Sequence, residues 1–229
     1  MRFRGLGILL ISLKESFWFD CRYGVRTFLV APKCYQLLRI FKGLTWQKML
    51  EFKDACEYSP ALSSVIAENL QVIRASLGQV VFASMQFCDL GCGKGKPLLM
   101  FHLNCRQFNN RRMVGIDYDP MLIDICRDNM ARLKITPSTY RVVCDLASSC
   151  PRYLDDPPYC IYICGSFHGQ TLQKTLGSLD PFPHVLCYID PPELSVFERF
   201  GYTLIDQRKG GVGVDSWLIF AKHLSFVSP

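Results

Sequence analysis

Three glycines at alternate positions, Gly91, Gly93 and Gly95, follow Asp89 and Leu90 in the run Asp-Leu-Gly-Cys-Gly-Lys-Gly-Lys, with Cys92 inside the turn. An acid that ends an apolar run and is followed by such a turn is chemistry for a nucleotide-like ligand. Glycine takes positive φ freely and has no Cβ to hold a ligand away from the backbone. A second acid, Asp117, ends the next apolar run 28 positions after Asp89. An ionised carboxylate offers several acceptor sites and no donor, so Asp117, with Tyr118 beside it, can accept from both hydroxyls of a ribose. Asp119 stands directly before Pro120 and is read instead as a helix cap. A third acid, Asp145, ends a further apolar run and is followed by Leu146.

These acids need strands to end on and helices to follow. Val80, Val81 and Phe82 with Phe87 and Cys88 predict the first strand, and Lys96 to Cys105 predicts a helix with Pro97 in its first turn. Strand-like runs recur at 112–116, 140–145, 159–164 and 184–189, and 202–208 with 214–222 predicts a hairpin. Further helices are predicted after Ser59-Pro60, with Leu62, Val65, Ile66, Leu70, Ile73 and Leu77 on one face, and after Asp119-Pro120. Pro191-Pro192 is read as opening a short last helix that Gly201 closes. The expected fold is α/β: a mostly parallel seven-stranded sheet, helices on both faces, and a C-terminal antiparallel hairpin. Ligands of such sheets bind at the carboxyl ends of the strands, where the three acids fall.

The glycine spacing separates two ligand classes. A dinucleotide turn wants Gly-x-Gly-x-x-Gly, with its last glycine where this chain has Lys96. The spacing here is Gly-x-Gly-x-Gly, and with Asp89 in front the segment resembles the first motif of the class I S-adenosylmethionine (SAM) methyltransferases. The resemblance narrows to a bacterial-type group with an Asp-Leu-Gly-Ser-Gly-Lys-Gly-Arg turn. Phe19 to Thr27 matches that group's Phe-Asp-x-Arg-Tyr-Gly-Val-x-Thr element, and Tyr58-Ser-Pro60 its Tyr-x-Pro. The resemblance implies SAM as cofactor, held by Tyr58, Asp89, Gly91, Cys92, Gly93, Gly95, Asp117, Tyr118, Asp145, Leu146 and Phe167, with Asp145 accepting from the adenine amino group. It also implies an Asn-Pro-Phe turn after the fourth strand. This chain has Gly165-Ser166-Phe167 there, followed by His168, the candidate general base if one is needed. Asp190-Pro191-Pro192 follows the fifth strand by count, so it is not read as the amino-directing turn of nitrogen methyltransferases.

Composition bounds the rest. The 229 residues, 49% hydrophobic, fit one SAM-binding domain at 58–229 with an N-terminal extension or cap at 1–57. Residues 1–50 carry nine bases against Glu15 and Asp20, a balance of +7 within a total of +6. With Phe17, Trp18, Phe19, Tyr35 and Trp46 interleaved, that stretch suits contact with nucleic acid or a membrane surface, or a solvated helical cap. The 12 cysteines include no Cys-x-x-Cys and lie largely in apolar runs, which argues against metal or disulfides and for a reducing cytoplasm. No run approaches the roughly 20 apolar residues of a membrane span. The expected activity is methyl transfer from SAM to an unidentified acceptor. The rival expectation is a catalytically silent SAM-binding scaffold, motivated by the missing Asn-Pro.

Overall fold

The computed structural model describes residues 14–15, 17–27, 54, 56, 61–105, 112–155, 157–210 and 215–224. Residues 17–23 are helical, and the α-helices that follow among the described residues are α1 (Ser63–Leu77), α2 (Gln79–Ser84), α3 (Lys96–Asn104), α4 (Pro120–Arg132), α5 (Gly169–Leu179) and the short α6 (Ser195–Glu198). Its strands are β1 (Gln86–Leu90), β2 (Met113–Asp117), β3 (Tyr140–Cys144), β4 (Tyr159–Cys164), β5 (His184–Ile189), β6 (Thr203–Arg208) and β7 (Trp217–Lys222). They form one seven-stranded sheet in the order β3-β2-β1-β4-β5-β7-β6. The first five strands pair in parallel, whereas β7 runs antiparallel to both β5 and β6. The expected fold class is therefore the observed one.

Every residue of β1, β2 and β5 is buried. Helices on both faces require this, and it explains why these strands read as continuous apolar runs rather than alternating ones. The period of two still sorts their side chains. Phe87, Cys160, Tyr162 and Cys187 join the layer under α1, α3 and α4, while Cys88, Leu90, Ile161 and Ile163 join the layer under α5 and α6. Strand β6, at the edge, is half exposed.

Two expectations need correction. Val80 to Phe82 do not extend β1; they lie in α2, which follows its N-cap Gly78 (φ +78°) where α1 has just ended. Val80 is 84% exposed, Val81 is half-buried against the core, and Phe82 is buried with its ring 6.2 Å from that of Phe101. The three-residue run was therefore never a two-sided buried strand. The Pro191-Pro192 helix begins only at Ser195, and the turn leading to it is set by Asp190 at φ +51°. Asp119 does cap α4, accepting from Met121 N at 2.9 Å.

His184 sits at the opposite end of β5 from the site. It is fully buried, with Nδ1 2.7 Å from the Phe182 carbonyl and Nε2 2.8 Å from the Tyr202 hydroxyl. Burial pushes its pKa down to about 4, against the ordinary value of about 6.5. Between those two values the unfolded chain binds the extra proton, so stability rises with pH there and is lost as the pH falls from about 6.5 through 4. Urea unfolding should show the wild type losing about 3 kcal/mol more than His184→Gln between pH 7 and pH 4. Parallel pH profiles would reject this.

Candidate functional site

The glycine turn leaves β1 and enters α3. Gly91 N and Cys92 N donate to the Ile116 carbonyl at 2.8 and 3.0 Å, so the turn folds over the end of β2. Gly91 (φ +75°) and Gly95 (φ +82°) both sit in the left-handed region. A Cβ on Gly91 would lie 2.2 Å from Ser166 Cβ, and one on Gly95 would lie 2.5 Å from Cys126 Sγ. The cradle thus admits no side chain at either end. Cys92 points away into the core, 2% exposed.

Asp89 is fully buried, and neither carboxylate oxygen has a hydrogen-bond partner among the described residues. Burial, reinforced by the neighbouring Asp117, holds its pKa well above the usual carboxylate range. Asp117 ends β2, as expected. Its Oδ2 accepts from Gly93 N at 2.8 Å and its Oδ1 from Asp119 N at 2.9 Å. Burial pushes its pKa up to about 6 against the pull of those backbone donors. The Tyr118 N–H adds a third backbone donor, and the carboxylate retains acceptor capacity beyond these bonds. Asp145 follows β3, and its N–H donates to the Asp117 carbonyl at 3.0 Å, tying the two strand ends together. Its oxygens accept from Leu146 N at 2.8 Å and from the Tyr153 hydroxyl at 2.5 Å. Leu146 is buried, and Tyr118 is half-buried with its phenol pKa raised by burial and by Asp117.

Asp89, the glycines, Asp117, Tyr118, Asp145 and Leu146 therefore converge at the carboxyl ends of three adjacent strands. Phe167 and His168, in the loop after β4, stand on the other side of β1. Phe167 is buried in the layer beneath α5, its carbonyl taking the Tyr188 hydroxyl. His168 is exposed at the head of α5, with Nδ1 3.7 Å from Cys56 Sγ. Tyr58 lies outside the described residues. The departure at Gly165-Ser166 has a structural counterpart. Gly165 takes φ +52° and donates to the Ile189 carbonyl at 2.9 Å, and Ser166 Oγ bonds the Gly91 carbonyl at 3.2 Å.

Sequence reasoning missed four contributors. Ser166 fills the space that Gly91 leaves, and Asp54 caps α5 by accepting from Thr171 N at 3.0 Å. The backbone of Cys56 donates to the Ser166 carbonyl at 2.8 Å, bracing the same loop. Asn129, midway along an amphipathic helix, reaches the glycine turn. Only Asn129 carried a signal, as a polar residue beside the buried stripe of α4.

No protein-family model and no curated protein matches the chain. Solved structures do share its fold. Precorrin-6y C5,15-methyltransferase from Geobacter metallireducens is 17% identical, with a TM-score of 0.52 over 71% of this chain and 89% of that one. An rRNA methyltransferase from Streptomyces viridochromogenes is 15% identical, with a TM-score of 0.52 over 72% and 86%. Magnesium protoporphyrin IX methyltransferase from Synechocystis, solved with bound SAM, is 10% identical, with a TM-score of 0.51 over 82% and 89%. The chain thus has the fold of class I methyltransferases.

Proposed function

We propose that this chain is a SAM-dependent methyltransferase. The observation that carries the reading is the buried, unpartnered Asp89 carboxylate beneath a glycine cradle with no room for a Cβ. Such a carboxylate costs free energy unless a donor or cation meets it, and the ammonium of an amino-acid ligand supplies both. Asp117 would accept from the ribose hydroxyls, Asp145 and Leu146 would frame the adenine, and the backbone of the turn would lie against the rest of the ligand. When bound, SAM supplies a methyl group already activated on a sulfonium, so the chain mainly aligns the acceptor in line with it. His168, exposed beside the β4 loop, would take the acceptor's proton where one must leave.

The acceptor is the open variable, because structures sharing this fold include a precorrin and an rRNA methyltransferase. Exposed Phe17 and Trp18 beside Arg22 and Arg26 support a nucleic-acid acceptor or a membrane-surface contact through the N-terminal extension at 1–57. We place the protein in a reducing cytoplasm, a reading supported by the thiols of Cys88, Cys126, Cys150 and Cys187, which are buried in the core and held in no disulfide. Among those residues no helix is long and apolar enough to cross a membrane, and no cluster of side chains is arranged to hold a metal ion.

Incubating the full chain with methyl-tritiated SAM and a fractionated lysate should label one fraction of RNA, protein or small molecules. SAM binding with every fraction unlabelled would replace the enzyme by a silent scaffold.

A further inference from the structure

Asn129 is fully buried on the inner side of α4, and its amide joins two segments far apart in sequence. Oδ1 accepts from Arg26 N at 2.8 Å, while Nδ2 donates to the Lys94 carbonyl at 3.0 Å and to the Arg26 carbonyl at 3.4 Å. Lys94 stands between the last two glycines of the turn. Only a side chain with a donor and an acceptor at this reach can make both links: aspartate lacks the donor, leucine lacks both, and glutamine is one methylene too long.

The segment that Asn129 holds is closed on itself and fastened along the same face. Asp20 accepts from Thr27 N and Thr27 Oγ1, each at 2.6 Å, and Val25 N donates to the Asp20 carbonyl at 3.2 Å. Arg132 donates to the Gly24 carbonyl at 3.3 Å, Arg26 pairs with Asp128, and Lys96 Nζ lies 5.4 Å from the centroid of the Phe19 ring. The turn is thus gripped from outside by 19–27 and from inside by Asp117, whose Oδ2 takes Gly93 N at 2.8 Å.

We propose that Asn129 is a positioning residue for the cofactor turn and latches residues 19–27 to it, so that docking of this segment and cofactor affinity are one linked equilibrium. The inference rests on the turn being a SAM site. Linkage is reciprocal: a ligand that needs the ordered turn must also hold the segment closed.

The test combines titration calorimetry of S-adenosylhomocysteine with hydrogen exchange at the Val25, Arg26 and Thr27 amides, all in the full chain. Asn129→Asp should weaken binding about tenfold and speed exchange at those amides. Thr27→Val, which removes a hydroxyl remote from the turn, should weaken binding about threefold. Leu176→Ala, in the opposite core layer, lowers stability but should leave affinity at the wild-type value. In the wild type, saturating S-adenosylhomocysteine should slow exchange at all three amides. Unchanged affinity in Asn129→Asp, or unchanged exchange on saturation, overturns the latch while the SAM reading stands. Should Asn129→Asp not fold, unchanged affinity in Thr27→Val decides against the latch in its place. A wild type that binds neither SAM nor S-adenosylhomocysteine overturns the site reading, and the latch with it.

Discussion

Gly91→Ala should destabilise the free protein and abolish measurable cofactor binding. The residue holds φ +75°, and its new Cβ would stand 2.2 Å from Ser166 Cβ. The left-handed backbone costs about 1–2 kcal/mol for an alanine. Overpacking against Ser166 adds about 1–3 kcal/mol, because Ser166 is itself held by the Gly91 and Cys164 carbonyls. Urea unfolding checks the sum. The double variant Gly91→Ala with Ser166→Gly should recover the overpacking part and leave the backbone part, a coupling that a double-mutant cycle measures directly. A single variant within about 0.5 kcal/mol of the wild type would show that the two loops do not touch as described.

The second large effect belongs to Asp117. Its removal as Asp117→Ala strips Gly93 N and Asp119 N of their acceptor and the ligand of its ribose partner. Cofactor affinity should fall by about 1–3 kcal/mol, or roughly 5- to 150-fold, by calorimetry. Unchanged affinity would reject the ribose role. The pH dependence gives an independent sign. With a pKa of about 6, Asp117 is half protonated in the free protein at that pH, and the proposed ribose contact requires the carboxylate. Affinity should therefore rise with pH through about 6 in the wild type, and this inflection should vanish in Asp117→Asn. Stability of the free protein responds in the opposite sense. The folded pKa lies above the ordinary value near 3.8, so the contribution present below that value is lost as the pH rises through 6.

The acids at the strand ends were legible because each lies next to its own local signal: a glycine triplet after Asp89, a proline-capped helix after Asp117, an apolar run before Asp145. Their convergence follows from parallel β1, β2 and β3 pairing in register, which brings Asp117 opposite Cys144, one residue before Asp145. What was not legible depends on contacts far apart in sequence. Ser166 meets Gly91 across 75 positions, Asn129 meets Arg26 across 103, and Asp54 meets Thr171 across 117. No periodicity announces a side chain that bonds a distant backbone. The misplaced helix α2 has a different cause. Three β-branched and aromatic residues favour a strand intrinsically, but the short helix after Gly78 buries Phe82 and half-buries Val81 while leaving Val80 in solvent, and packing decided it. The loop after β4 was least legible, since Gly165-Ser166 departs from the resemblance and its conformation is set by the distant Ile189 and Gly91 as well as by the nearby Cys164.

The central claim is that the cradle above Asp89 takes SAM rather than a dinucleotide. Thermal unfolding of the full chain with SAM, S-adenosylhomocysteine and NAD, each well above its dissociation constant, tests it most directly, because a ligand that binds only the folded state raises the melting temperature by mass action. The account predicts a rise with SAM and with S-adenosylhomocysteine and none with NAD. A rise with NAD alone would contradict it.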